Sequence, residues 1–337
     1  MTNSFGIDAA HTACETPDMN RTPIVYSDHY LDHHTGPHPE TERRLVAIIE
    51  HLDAEGLLVD RPLLTPTNAP REAILRVHDA AYVDALERFC AAGGGWLEPS
   101  TVVSAESFDV ALLAAGGAIR AVDTVLTGEA ARVFALIRPP GHHATAETGM
   151  GFCLFNNVAV AAQYARDHYG LERVAIIDWD IHHGNGTNDI FYDDPHVLFV
   201  STHQHPLYPG SGLTRERGTG EGEGYTLNIP LPPRSNDADY LRVFDDLIGP
   251  LILSYQPELL FISAGYDAAQ DDPLAEMLVS DAGFRQMAER AVAWADTCCA
   301  GRIVALLEGG YDLAALARGV AVTLRVLDGE PNPPPLP

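Results

Sequence analysis

Short runs of β-branched and apolar residues recur along the chain, at Ile24–Tyr26, Val133–Ile137, Val174–Ile177, Val197–Val200, Tyr225–Ile229, Leu259–Ile262 and Ile303–Leu307. Several are apolar at every position, the pattern of strands that helices cover on both faces. Longer segments with helical spacing alternate with them, over roughly 40–55, 104–127, 156–168, 238–255, 281–298 and 312–327. Such alternation predicts an α/β fold with a mainly parallel sheet between helices. The first 22 residues are polar and aperiodic and read as a loose arm. Residues 328–337, DGEPNPPPLP, read as a proline-rich extended tail. No linker, low-complexity block or repeat interrupts the stretch between, so 23–327 reads as one domain.

In parallel sheets, ligands bind beyond the carboxyl ends of the strands. Ile137 leads into RPPGHHATAETGMGFCLFNN and Ile177 into DWDIHHGNGTND. Val200 leads into STHQHPLYPGSG, Ile262 into SAGYDAAQDDP and Leu307 into EGGYDL. Five strand ends therefore feed loops rich in Gly, His and Asp, and the fold rule sends all five to one rim.

Composition narrows the partners. Of 337 residues, 47 are acidic and 21 basic, for a formal net charge of −26. All 21 basic residues are arginine, so no lysine side chain exists to be modified. That balance argues against nucleic acid and against an anionic membrane surface, both of which need clustered cations. It permits cationic partners such as basic peptides or polyamines. The five cysteines, Cys14, Cys90, Cys153, Cys298 and Cys299, show no CxxC or zinc-finger spacing. Reduced thiols, and a start without a basic or apolar leader, suggest a cytoplasmic protein. No apolar run approaches the ~20 residues that span a bilayer.

In DWDIHHGNGT, Asp178, Asp180 and His182 lie two apart, so in extended chain their side chains share a face. Asp180, His182 and Asp267, past another strand, make three ligands for a divalent metal with open positions suited to catalysis. The spacing alone would equally serve an Asp that caps a helix and a His exposed in a loop. In PPGHHA, His142 and His143 follow two prolines and a glycine, and imidazoles beside a metal site suit general acid–base work. Tyr311 follows Gly309 and Gly310, a turn able to bring a phenol inward toward an oxyanion, or merely to pack one.

Together, RPPGHHA, GFCLFNN, DWDIHHGNGT, SAGYDAAQDDP and LEGGYDL resemble the zinc-dependent histone deacetylase superfamily. That superfamily also holds acetylpolyamine amidohydrolases and acetoin-utilisation proteins. The resemblance runs from about Tyr26 to Leu327, with the motifs in the family's order and spacing. HHGNG resembles the class II branch, since class I relatives have an aspartate in place of Asn185. The resemblance implies an arginase–deacetylase fold with a parallel sheet of about eight strands. It implies Zn²⁺ on Asp180, His182 and Asp267, His143 as general base then acid, and His142 as its electrostatic partner. Tyr311 would bind the substrate carbonyl oxygen, Phe152 and Tyr208 would line a narrow tunnel, and the Gly151 carbonyl would accept the substrate N–H. Arg43 resembles the arginine near the acetate pocket.

Relatives also bind monovalent cations, usually K⁺, at two sites. By resemblance, the first would use Asp178, Asp180, His182, Ser201 and Thr202, and the second Phe191, Asp194, Val197 and Tyr225. Arginase-like ureohydrolases share the fold but need an aspartate where this chain has Ala269, which implies one catalytic metal here. A non-catalytic binding protein would be expected to lose a ligand or the tyrosine, and this chain retains them. The expected reaction is hydrolysis of an acyl amide, with acyl-lysine and acetylated polyamines as the competing substrates. Leu274 occupies a gate position that is acidic in some polyamine-selective relatives. A leucine there favours the neutral stem of acyl-lysine.

Overall fold

The structure is a computed structural model and describes residues 21–330. Among these residues the strands are β1 (Ile24–Val25), β2 (Leu63–Leu64), β3 (Gly95–Glu98), β4 (Thr101–Val103), β5 (Arg132–Ala135), β6 (Val174–Asp178), β7 (Val197–Gln204), β8 (Thr226–Leu231), β9 (Leu259–Ala264) and β10 (Ile303–Leu307). Eight of them form one sheet in the order β2-β1-β5-β10-β9-β6-β7-β8, while β3 and β4 pair as a separate antiparallel hairpin. Every pairing in the large sheet is parallel. Strands β6, β7, β9 and β10 are buried at every residue, as the unbroken apolar runs require.

The α-helices are α1 (Arg43–Ala54), α2 (Arg71–Ile74), α3 (Ala80–Ala91), α4 (Ser107–Leu126), α5 (Asn157–Tyr169), α6 (Asn185–Ile190), α7 (Asp237–Val243), α8 (Gly249–Tyr255), α9 (Asp281–Cys298) and α10 (Leu313–Leu327). Helix α10 packs against both α1 and α9, and α4 packs against α5. Three caps set starts that matter to the site. Asn156 accepts from Ala159 N at 3.0 Å, Ser280 from Gly283 N at 3.2 Å, and Asp312 from Ala315 N at 2.8 Å.

The helical segment expected over 238–255 is not one regular helix. Between α7 and α8 the chain makes a wider helical turn over Phe244–Ile248. Pro250, at the start of α8, has no N–H to give to the preceding turn, so the hydrogen-bond ladder cannot run through unbroken. The expected arm lies outside the described residues as far as residue 20. Its last two residues are packed: Arg21 donates to Leu57 O at 3.4 Å, and the Thr22 N–H donates to Asp328 Oδ1 at 2.7 Å. Arg61 then clamps the same two ends, donating to Thr22 O at 2.7 Å and to Asp328 Oδ2 at 2.7 Å. The domain thus begins before residue 23 and runs past 327, and the rest of the proline-rich tail, 331–337, lies outside the described residues. No helix among the described residues is long and apolar enough to cross a membrane.

Candidate active site

The carboxyl ends of β5, β6, β7, β9 and β10 open onto one rim. Asp178 ends β6, and the chain then turns so that Asp180 and His182 meet Asp267, three residues beyond β9. All three side chains are buried, and their ligand atoms lie within 4.8 Å of one another. His182 Nδ1 is 3.1 Å from Asp180 Oδ1 and 3.0 Å from Asp267 Oδ2. Backbone donors fix the carboxylates from outside. Gly309 N donates to Asp180 Oδ2 at 2.8 Å, and Ile181 N to Asp267 Oδ1 at 2.9 Å. Gly309 has to be glycine, because a Cβ there would collide with both carboxylates. Burial opposes charge on His182, yet its hydrogen bonds to Asp180 and Asp267 push its pKa up to about 10. Burial and the charge of Asp180 push Asp267 up to about 7. The cluster's negative field thus draws positive charge inward, and two carboxylates with one imidazole at edges near 3 Å suit a divalent ion.

His142 and His143 stand beside this cluster with their rings 4.0 Å apart. They have opposite partners. His142 Nδ1 faces Asp178 Oδ2 at 2.9 Å, whereas His143 Nδ1 faces the amide oxygen of Asn185 at 2.8 Å. Burial opposes charge on His142, but Asp178 and Asp180 hold its pKa well above the ordinary value. Burial, then the neighbouring charges of His142 and His182, hold His143 well below it. The two adjacent imidazoles are thus pushed in opposite directions, His142 toward its charged form and His143 toward its neutral form. The His143 ring lies 5.8 Å from that of His182.

Tyr311 follows the β10 turn and immediately precedes Asp312, the cap of α10. Its N–H and that of Asp312 both donate to Asp272 Oδ2, at 2.6 and 3.1 Å. Burial raises the phenol's pKa well above 10.0, so it stays a proton donor. Arg43, expected near the acetate pocket, is exposed on α1. Its neighbour Arg44 is the buried one: its guanidinium lies 5.1 Å from the Tyr311 ring centre. Arg44 also donates to Gly310 O at 2.8 Å, to Glu308 O, and to Glu40 Oε1 at 3.2 Å. The helical stripe decides between the two arginines, because position 44 falls four and eight residues before the buried Ile48 and Leu52.

The residues expected to line a tunnel lie beside the same cluster. The Tyr208 ring is 5.1 Å from that of His143, and the Phe152 ring is 5.6 Å from that of Tyr311. Phe152 has φ +71, next to Gly151 at φ +56, and a Cβ on Gly151 would collide with the His143 ring. Leu274 is half-buried, and its N–H donates at 3.0 Å to Asp272, the residue that ties down the Tyr311 turn. Of the residues expected to hold a monovalent cation, Asp178 and Ser201 are paired neighbours on β6 and β7, with Thr202 next along, all buried. Asp180 and His182 of that set are the residues already described. In the second set, the Phe191 carbonyl accepts from Asp194 N at 3.1 Å, the Tyr225 carbonyl from Phe199 N at 2.9 Å, and Val197 opens β7. The Asp194 carboxylate is ion-paired with Arg166, so a cation already meets it.

Two residues gained no role from the sequence. Glu308 is 1 % exposed and accepts from the N–H groups of Gly141 and His142 at 2.7 and 3.1 Å, so it moors the histidine loop. Arg138 is fully buried and donates to Glu40 Oε1 at 2.7 Å and to Tyr30 O and His33 O at 3.0 and 2.7 Å. A charged residue at the end of an apolar strand, as both are, was the available signal.

Comparison with known proteins accords with this geometry. A family model, the histone deacetylase domain, matches residues 38–327. The chain is 47% identical over 295 residues to a probable deacetylase of Archaeoglobus fulgidus, covering 87% of this chain and 82% of that protein. It is 37% identical over 316 residues to a histone deacetylase-like amidohydrolase of Pseudomonas aeruginosa, covering 87% and 82%. Among solved structures, it is similar to the HDA15 HD domain, with a TM-score of 0.87 and 34% identity over 93% of this chain and 89% of that one.

Proposed function

The chain belongs to the histone deacetylase family of enzymes and has its arginase–deacetylase fold; within that family, we propose that it is a zinc-dependent hydrolase of the side-chain amide of acyl-lysine. The observation that carries this reading is the buried imidazole of His143, held at Nδ1 by Asn185 at 2.8 Å, beside the Asp180, His182 and Asp267 cluster, 5.8 Å between the two histidine rings. Asp180, His182 and Asp267 would hold the Zn²⁺. When bound, it would polarise the acyl carbonyl and make water a stronger nucleophile at neutral pH.

The chain's own residues do the rest. Tyr311 donates its phenolic hydrogen bond to the acyl oxygen as negative charge develops there. His143 takes a proton from the attacking water and returns it to the leaving amine. Asn185 accepts from His143 Nδ1–H and so leaves Nε2 free to accept that proton. His142, charged against Asp178, adds positive potential where the oxyanion forms. Phe152, Tyr208 and Leu274 give the acyl-lysine methylenes an apolar path, and the Gly151 carbonyl offers an acceptor to the amide N–H. Asp178, Ser201 and Thr202 are the residues that would hold a structural K⁺ behind the site, with Phe191, Val197 and Tyr225 as the carbonyl set of a second.

One observation favours acetylated polyamines as the second reading. Burial and then the charge of Glu98 raise the Tyr208 phenol, so an acidic side chain lies near the tunnel wall. A distant ammonium would be attracted to it. The test compares kcat/KM of the zinc-loaded enzyme on an acetyl-lysine peptide, acetylputrescine and acetylspermidine. A peptide preference of tenfold or more supports the Leu274 argument. A polyamine preference lost in Glu98→Gln overturns it.

A further inference from the structure

A second group of buried metal-ligating side chains converges behind His142. A ring nitrogen of His142, the Cys153 sulfur and a Glu308 carboxylate oxygen lie within 4.8 Å of one another. All three residues are at most 2 % exposed. Glu308 Oε2 receives the Gly141 and His142 N–H groups, but Glu308 Oε1 has no hydrogen-bond partner among the described residues. His142 Nδ1 faces Asp178 at 2.9 Å, while Nε2 approaches Asp180 Oδ1 only to 3.8 Å, beyond hydrogen-bond distance. A buried carboxylate oxygen without a donor is costly unless a proton, a water or a cation meets it. The side chains grouped with this carboxylate are an imidazole and a thiol, both metal ligands.

We propose that His142, Cys153 and Glu308 form a second site, with one nitrogen, one sulfur and one oxygen ligand, for a divalent ion such as Zn²⁺. Bonds of roughly 2.0–2.3 Å to a tetrahedral ion need ligand atoms about 3.5 Å apart, so atoms that lie within 4.8 Å of one another have to close by at most about an ångström. Binding forms metal–sulfur and metal–nitrogen bonds and releases both the Cys153 thiol proton and the His142 imidazolium proton to solvent, and nothing is oxidised or reduced. The site adjoins the first, with His142 Nε2 only 3.8 Å from Asp180 Oδ1. An ion there takes the ring nitrogen that faces the reaction, so excess metal inhibits. That inhibition rests on the deacetylase reading, whereas the binding itself does not.

Cobalt(II) is the probe, titrated into the metal-free full-length chain. Asp180, His182 and Asp267 offer no sulfur, so they give visible d–d bands alone. The second site gives a near-ultraviolet sulfur-to-cobalt charge-transfer band, one per chain, within two equivalents. Cys153→Ser abolishes that band and keeps the d–d bands, while Cys90→Ser keeps both. Glu308→Gln weakens the band-forming step roughly tenfold or more. No such band in the wild type, or a band that survives Cys153→Ser, overturns the site. Should Cys153→Ser also lose the d–d bands, the Glu308→Gln titration decides, and an unchanged midpoint there overturns it.

Discussion

His143 Nδ1 lies 2.8 Å from the amide oxygen of Asn185, while its neighbour His142 points Nδ1 at the carboxylate of Asp178, 2.9 Å away. His142 thus has a carboxylate partner that favours its charged form, while His143 has only an amide oxygen to set against burial and the charges of His142 and His182. Asn185→Asp gives His143 a carboxylate that stabilises its protonated form, so its pKa rises. A base must be deprotonated to act, so the acid limb of the kcat/KM profile moves to higher pH, by about one unit or more. A profile identical to the wild type would contradict the assigned contact.

Tyr311→Phe removes the hydrogen-bond donor and keeps the ring that packs 5.6 Å from Phe152. The expected loss in kcat is about 10²–10³-fold, with KM and bound metal little changed. Steady-state kinetics with metal analysis on the same sample check it.

Glu40 sits between Arg44 and Arg138 in a fully buried network, and its Oε1 accepts from both. Burial opposes its charge, but Arg138 and Arg44 hold its carboxyl down at about 2. The sign follows from a depressed folded value. Its contribution is full above the unfolded value of 4.5 and drains away as pH falls toward 2. Glu40→Gln leaves two buried guanidinium groups short of an anion and costs about 3–5 kcal/mol. Arg43→Ala, on the exposed face, stays within about 0.5 kcal/mol. Urea melts of the three proteins separate these outcomes.

His78 is locked in one neutral tautomer. Its Nδ1 donates to Thr145 O at 2.8 Å, and its Nε2 accepts from Asn156 N at 2.9 Å. Protonation would turn that acceptor into a donor, and burial lowers its pKa from 6.5 to about 4. The unfolded chain therefore takes up the proton first, and stability falls as pH drops from 6.5 to 4. The loss across that window is about 3 kcal/mol. Because His78 ties Thr145 to Asn156 across the segment between them, hydrogen-exchange protection factors around both residues, corrected for the intrinsic rate, are lower at pH 5 than at pH 7. Equal protection at both would contradict the locked tautomer.

The buried strands were legible because four of them carry apolar residues on both faces, and the site because five strand ends carried Gly, His and Asp. Strand β2 was not legible: two residues, Leu63 and Leu64, at the sheet's edge between Pro62 and Pro66, offer no periodicity to read. The interrupted α7–α8 segment kept an amphipathic pattern through its wide turn, so only Pro250 marked the break. Adjacent arginines were assigned by resemblance, which put the weight on Arg43, when the buried stripe of α1 selects Arg44. Glu308 and Arg138 act through backbone groups distant in sequence, and those contacts exist only once the sheet has brought β5 and β10 side by side.

The most direct test of the account removes the metal and returns it. The enzyme is dialysed against a chelator until metal analysis reads zero, assayed on an acetyl-lysine peptide, then reloaded with one equivalent of Zn²⁺, with His143→Ala alongside. The account predicts loss of activity, recovery at one equivalent, and no recovery in His143→Ala. Full activity in the metal-free enzyme, or equal recovery without His143, would contradict it.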